Sequence, residues 1–220
     1  MILQVTCTPG GKLRLVVAAA GLVFENAEAE RRFLLTDVPW WTYVALRDVL
    51  DASRIRMTYL EGILELMSPS ELHEEEGKLI ARLLEAWADE FDVDLRGFKS
   101  TTFRKEAGKR GAEPDECYTL GPKPKDAPPH LAIEVIVSNP LVDKLEVYAG
   151  LGVAEVWMWR AGTRAFVVHR LAEARYMVVD RSQLLPALDL VLLASFVRPG
   201  ESHTALVKFF RQALRTKSAR

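Results

Sequence analysis

The segment from Leu131 to Val137 reads Leu-Ala-Ile-Glu-Val-Ile-Val, a buried strand carrying one carboxylate, Glu134. Strand side chains alternate, so Ala132, Glu134 and Ile136 share one face and Ile133, Val135 and Val137 the other. An ionised carboxylate amid apolar neighbours is costly unless something pairs with it. The alternative is a half-exposed residue near a sheet edge. Any fold for this chain must therefore either open that strand to water or bring Glu134 a partner.

Lys144 is the nearest candidate. On a helical wheel it lies with Leu141, Tyr148 and Leu151, while Asp143 and Glu146 point away. This places the lysine on the face that packs on the sheet, where a cation needs a carboxylate. A lysine snorkelling from the helix edge is the simpler reading. Asp115, in Glu113-Pro114-Asp115-Glu116, supplies a second acid. Alone, Pro-Asp is a turn signal. With Glu134 and a backbone carbonyl such as that of Val135, it makes a set of hard oxygen donors suited to magnesium or manganese. Such a metal polarises a phosphate oxygen and acidifies a bound water, and Lys144 would orient that water or stabilise developing charge.

The pattern around these residues predicts a helix over Val38 to Leu50, capped by Thr36 or Asp37. A hairpin from Arg54 to Met67 turns at Glu61-Gly62, and a long helix follows from about Glu71 to Phe91. The apolar positions of that long helix are Leu72, Leu79, Ile80, Leu83, Leu84, Trp87 and Phe91. Strands are expected over Val93 to Phe103, Ala112 to Leu120 and Leu131 to Val137. A short helix follows from about Leu141 to Gly150, then a hairpin across Ala161-Gly162 and a final helix over about His203 to Arg215. Two short strands, Gln4 to Cys7 and Leu13 to Ala18, flank Pro9-Gly10-Gly11. The order implies an α/β (α+β) class protein with a mixed sheet flanked by helices. It is read as one domain: an N-terminal extension and helix (1–53), a core (54–160), and a C-terminal hairpin and helix (161–220).

The 220 residues carry a net charge of −1, which gives no overall basic footprint for nucleic acid. A local run does exist: Arg96, Lys99, Arg104, Lys105, Lys109 and Arg110, with Phe98 and Phe103 between them, could grip phosphates just ahead of Asp115 or form an ordinary charged hairpin. Two cysteines, Cys7 and Cys117, lack metal-ligand spacing and suit a reducing, cytoplasmic compartment. No apolar run approaches bilayer length, and the N-terminus lacks a basic signal region. Phosphate-binding glycine loops and serine-hydrolase elbows are absent.

Taken in order, Glu113-Pro114-Asp115, the strand around Glu134, and the run from Asp143 to Trp157 resemble the bacterial Uma-two type restriction endonucleases of the PD-(D/E)XK nuclease superfamily. Gly62 to His73 resembles that family's approach to its first core helix, and the resemblance spans roughly Arg54 to Trp159. It implies a restriction-endonuclease-like core and Mg2+- or Mn2+-dependent hydrolysis of DNA. The metal would sit on Asp115, Glu134 and the Val135 carbonyl, with Lys144 as the catalytic lysine. The superfamily lysine stands two residues after the second acid, where this chain has Ile136; in the resembling family it has migrated to the following helix. Pro129-His130-Leu131 stands where the family commonly reads Pro-Asp-Leu.

His73 and Glu76 share the apolar half of the long helix and are accessory candidates, either near the metal or as a local buried pair. Glu65, on the face of Ile63 and Met67, is a third. Trp40-Trp41 and Trp157-Met158-Trp159 suit a core or a subunit interface, and with the extra hairpins they suggest a homodimer. Two other readings stand beside the nuclease. One is a non-catalytic DNA-binding or assembly module of the same fold. The other is a two-carboxylate glycoside hydrolase, in which Lys144 would have no role.

Overall fold

A computed structural model describes residues 4–7, 13–16, 30–50, 53–98, 102–122 and 127–218. The strands β1 (Gln4–Cys7) and β2 (Leu13–Val16) pair with each other as an antiparallel hairpin. The expected turn between them lies outside the described residues. Next come β3 (Arg31–Leu35), α1 (Trp40–Val49), β4 (Arg56–Leu60), β5 (Ile63–Ser68) and α2 (Glu71–Glu90). The chain continues through β6 (Leu95–Gly97), β7 (Phe103–Lys105), β8 (Arg110–Ala112), β9 (Glu116–Leu120) and β10 (Leu131–Ile136). It ends with α3 (Lys144–Leu151), β11 (Glu155–Arg160), β12 (Ala165–Ala172), β13 (Arg175–Val179), α4 (Leu190–Ser195) and α5 (His203–Ser218).

Two larger sheets result. The central one is six-stranded, in the order β13-β12-β11-β10-β9-β6, and the second is five-stranded, β3-β5-β4-β8-β7. The central sheet is mixed: β10 and β11 run parallel across the α3 crossover, while its other pairs are antiparallel. The mixed sheet with flanking helices expected from the pattern is thus present.

The strands expected at Val93–Phe103 and Ala112–Leu120 do not run through. Each is cut in two, with one half in each sheet. The backbone leaves the central sheet after Gly97 and enters the five-stranded sheet at Phe103; it returns through a bend at Glu113–Asp115.

Both faces of β10 are covered. Leu131, Ile133 and Val135 join Trp157 and Trp159 of β11 in the main core beneath Leu79, Ile80, Leu83, Leu84 and Trp87 of α2. Truncating a tryptophan in such a core costs about 3–5 kcal/mol. On the other face, Ala132 and Ile136 pack with Val147 and Tyr148 of α3 and with Val156 and Met158. Leu72 and Phe91, expected on the buried stripe of α2, are exposed instead. A third cluster, around Tyr43, Met57, Tyr59 and Leu64, seats α1 on the five-stranded sheet. There Gly111 permits a close approach: a Cβ at that position would clash with the Tyr43 hydroxyl.

Local signals explain most element ends. The β4–β5 turn uses positive φ at Glu61 and Gly62, as primed hairpin turns require. The Ser70 side chain caps α2 by accepting from the His73 N–H, and Gly152 ends α3 in the left-handed region. The cap of α1 is Pro39, with no side-chain bond, in place of Thr36 or Asp37. The strand β3 and the short helix α4 had no clear sequence signal. Among the described residues no helix is long and apolar enough to cross a membrane.

Candidate active site

Asp115 stands where the chain crosses from one sheet to the other. Pairing of β9 with β10 reaches only from Tyr118–Leu131 to Glu116–Ile133, so the edge of β10 is free of that strand beyond Ile133. The Asp115 Oδ2 takes up the freed donor, accepting from the Val135 N–H at 2.8 Å. A residue's N–H and C=O point to the same strand edge, so the Val135 carbonyl lies on that side too. The second oxygen, Oδ1, is buried with no hydrogen-bond partner.

Glu134 lies on the neighbouring face, 0% exposed. Its Oε2 accepts from Lys144 Nζ at 2.6 Å, and its Oε1 accepts from the Tyr148 hydroxyl. Both donors come from α3, four residues apart and hence on one helix face. The Asp143 carboxylate caps this helix, accepting from the N–H groups of Leu145 at 2.9 Å and Glu146 at 3.2 Å. Lys144 is therefore the first helical residue, later than the expected start near Leu141. A cation there opposes the helix dipole. Its placement serves Glu134 rather than the helix.

The electrostatics follow from this crowding. Burial pushes the Glu134 carboxyl above the ordinary range, and the Lys144 ammonium pulls against that. Burial disfavours the Lys144 ammonium, but Glu134 and then Asp115 outweigh it and hold the lysine protonated. Burial would also raise Asp115; the opposing pull of His73, Lys144 and the Val135 N–H keeps it well below the usual carboxylate range.

His73, from the first turn of α2, places Nε2 3.2 Å from Asp115 Oδ2 and 3.9 Å from Glu30 Oε2. Burial disfavours its charged form, yet Asp115 and Glu30 raise its pKa above the ordinary value. Glu30 Oε1 accepts in turn from Arg32 Nη2 at 2.8 Å, and from the Ser138 hydroxyl. Glu30, Arg32, Ser138 and Tyr148 carried no role in the sequence reading. Only Tyr148 had a usable signal, its spacing of four from Lys144.

The accessory candidates separate. Glu65 binds Arg32 through Oε1 and the N–H groups of Leu141 and Val142 through Oε2, which ties β5 to the loop before α3. Glu76 lies on the far face of the central sheet, where its Oε2 accepts from Trp159 Nε1 at 2.8 Å. It does not join Asp115 and Glu134. The basic run is divided as well. Arg96 is in β6 of the central sheet, while Arg104 and Lys105 are exposed on β7, an edge of the other sheet. Arg110 reaches Glu61 at 3.2 Å and Glu146 at 3.5 Å. Lys99 lies outside the described residues. Trp157 and Trp159 are core residues and not interface residues.

A cleft of about 20 Å³ opens between α2, at His73, Gly77 and Lys78, and the bend at Asp115 and Glu116. That is room for one water or one ion. Among the described residues no three His, Cys, Asp or Glu side chains converge as a metal cluster. Magnesium needs no such cluster, since it binds through one or two carboxylates and keeps several waters. The unpartnered Asp115 Oδ1 and the remaining lone pairs of Glu134 fit that requirement.

A solved structure of a putative nuclease belonging to DUF820 from Anabaena variabilis ATCC 29413 is similar at 16% identity and a TM-score of 0.43, over 64% of this chain and 91% of that one. No curated protein matches the chain. The family model "Uma2: Putative restriction endonuclease" matches residues 40–199, most of the chain, and the protein belongs to that family.

Proposed function

We propose that the protein is a divalent-metal-dependent endonuclease that hydrolyses phosphodiester bonds in DNA. The observation that carries this reading is the buried group Glu134–Lys144–Tyr148 beside Asp115, whose Oδ1 has no protein partner. Asp115 Oδ1, an oxygen of Glu134 and the Val135 carbonyl would hold Mg2+ or Mn2+. When bound, that ion would polarise a phosphate oxygen and lower the pKa of a water.

The chain's own groups supply the rest. The Val135 N–H and His73 fix the Asp115 carboxylate, and Tyr148 fixes Glu134. Lys144 is held protonated, so it acts as a donor rather than as a base. It would orient the attacking water through hydrogen bonding and stabilise charge developing on the phosphate. Arg104 and Lys105, with Lys99, would hold the DNA backbone.

The test is cleavage of supercoiled plasmid with Mg2+ or Mn2+ and with a chelator. Nicking should require the ion. Asp115→Asn and Lys144→Met should each lower the rate by about 100-fold or more. Undiminished metal binding and cleavage in Asp115→Asn would overturn the assignment.

One observation favours a second reading, a non-catalytic module of the same fold: both oxygens of Glu134 already have donors. That reading predicts no heat of Mg2+ or Mn2+ binding that depends on Asp115.

A further inference from the structure

The outward stripe of α2 runs Glu71, Glu74, Lys78, Arg82, Glu85 and Asp89, at helical spacing. Its acids are accounted for. Glu71 lies in the first turn, where the helix dipole favours an acid. Glu74 meets Arg56 at 3.4 Å, Glu85 accepts from the Tyr118 hydroxyl at 3.3 Å, and Asp89 pairs with Arg211 at 2.7 Å. Its two cations are not. Among the described residues neither Lys78 nor Arg82 has an ion-pair or hydrogen-bond partner. They stand four residues apart, a like-charge spacing that disfavours the helix and sets the two side chains side by side.

This stripe borders the cleft at Asp115. Lys78 lines the cleft from α2, and Arg56, the first residue of β4, lines it too. Gly77 is another lining residue. A Cβ there would meet Val135 at 3.6 Å, an ordinary contact, so packing does not demand a glycine. Glycine weakens a helix interior, and here it keeps the cleft open. At about 20 Å³ the cleft holds a water or an ion but not a phosphodiester. A phosphate drawn to an ion on Asp115 must therefore stop across the mouth, where Arg56 and Lys78 stand. We propose that the outer face of α2 is the track of the DNA strand to be cut, with Lys78 and Arg56 beside the phosphate at the cleft mouth and Arg82 on a neighbouring phosphate. The proposal rests on the nuclease reading and adds the path by which the backbone reaches Asp115. Contacts of this kind position the strand and carry no sequence information.

Anisotropy of a labelled DNA duplex of mixed sequence, with a chelator present so that nothing is cut, tests the track. The full chain should bind, more weakly as salt rises. Lys78→Ala and Arg82→Ala should each weaken binding several-fold and reduce the logarithmic salt slope by about 1. Lys78→Arg keeps the charge and should bind as the parent does. Lys208→Ala removes an exposed lysine from α5 and should change nothing. The proposal is overturned if the parent does not bind, or if either alanine variant on α2 binds as the parent does. Equal losses in Lys78→Arg or Lys208→Ala would overturn it as well. The outcome is separate from cleavage. A chain that binds through Lys78 and Arg82 but never cuts would sink the nuclease reading alone, and one that cuts while both alanine variants bind normally would sink only the track.

Discussion

Glu113 and Asp115 stand two residues apart in one bend, both buried, and they are satisfied to different degrees. Glu113 Oε1 forms an ion pair with Arg47 Nε at 2.8 Å and accepts from Thr102 Oγ1 at 2.7 Å, and its Oε2 takes longer contacts from Arg47 Nη1 and the Met57 N–H. Every oxygen is used, and the effect is to clamp α1 and β4 to the bend. Asp115 spends one oxygen on Val135 and His73 and leaves the other without a partner. A saturated buried carboxylate is scaffold. A half-saturated one costs stability and is retained where something else is to be bound. The bend thus pairs a lock with a candidate site.

The largest effect should come from breaking the lock. Glu113→Ala strips the Arg47 guanidinium of its carboxylate inside the protein and should cost about 3–5 kcal/mol in urea unfolding. A loss under about 1 kcal/mol would show that the clamp is not structural.

Thermal shifts with added Mn2+ sharpen the contrast. An ion that binds only the folded chain adds roughly 2.7 kcal/mol at 100 times its Kd. That increment should survive in Glu113→Ala, at a lower starting Tm, and vanish in Asp115→Asn. Survival in both would move the ion elsewhere.

A smaller effect is expected at Tyr148→Phe, which leaves Glu134 Oε1 buried without its donor. The cost should be about 1–3 kcal/mol in urea unfolding, short of that at Glu113 because the Lys144 pair remains.

The smallest effect is set by pH at His169, on the α3 face of β12. Burial lowers its pKa below the ordinary 6.5, and its Nδ1 has no partner. Below pH 6.5 the unfolded chain takes up this proton before the folded chain does. Stability should therefore fall as pH drops from 6.5 through the lowered folded value, and His169→Gln should flatten that part of the profile. An unchanged slope in the variant would show that His169 is not responsible.

Much of this arrangement was legible in the residues. Alternation set Glu134 on the face of Ala132 and Ile136, and the helical wheel turned Lys144 toward the sheet; both are local periodicities that hold wherever the element packs. The same wheel brought Glu76 inward but could not tell it from His73. The two lie three residues apart on α2, yet one reaches Asp115 and the other the indole of Trp159. Glu30 and Arg32 meet Ser138 across 108 and 106 positions, a separation that leaves no local trace.

The sequence alone determined most of the longer elements, the inward faces of β10 and α3 and the pairing of an acid with a cation behind β10, because each follows from side-chain spacing along one segment. Tertiary structure decided where the chain changes sheets, which of two neighbouring carboxylates is saturated, and which strand is left at an edge. Those outcomes depend on donors and neighbours supplied by segments far away in the chain, and a hydrogen bond is satisfied or missing only once the fold has brought its two groups together.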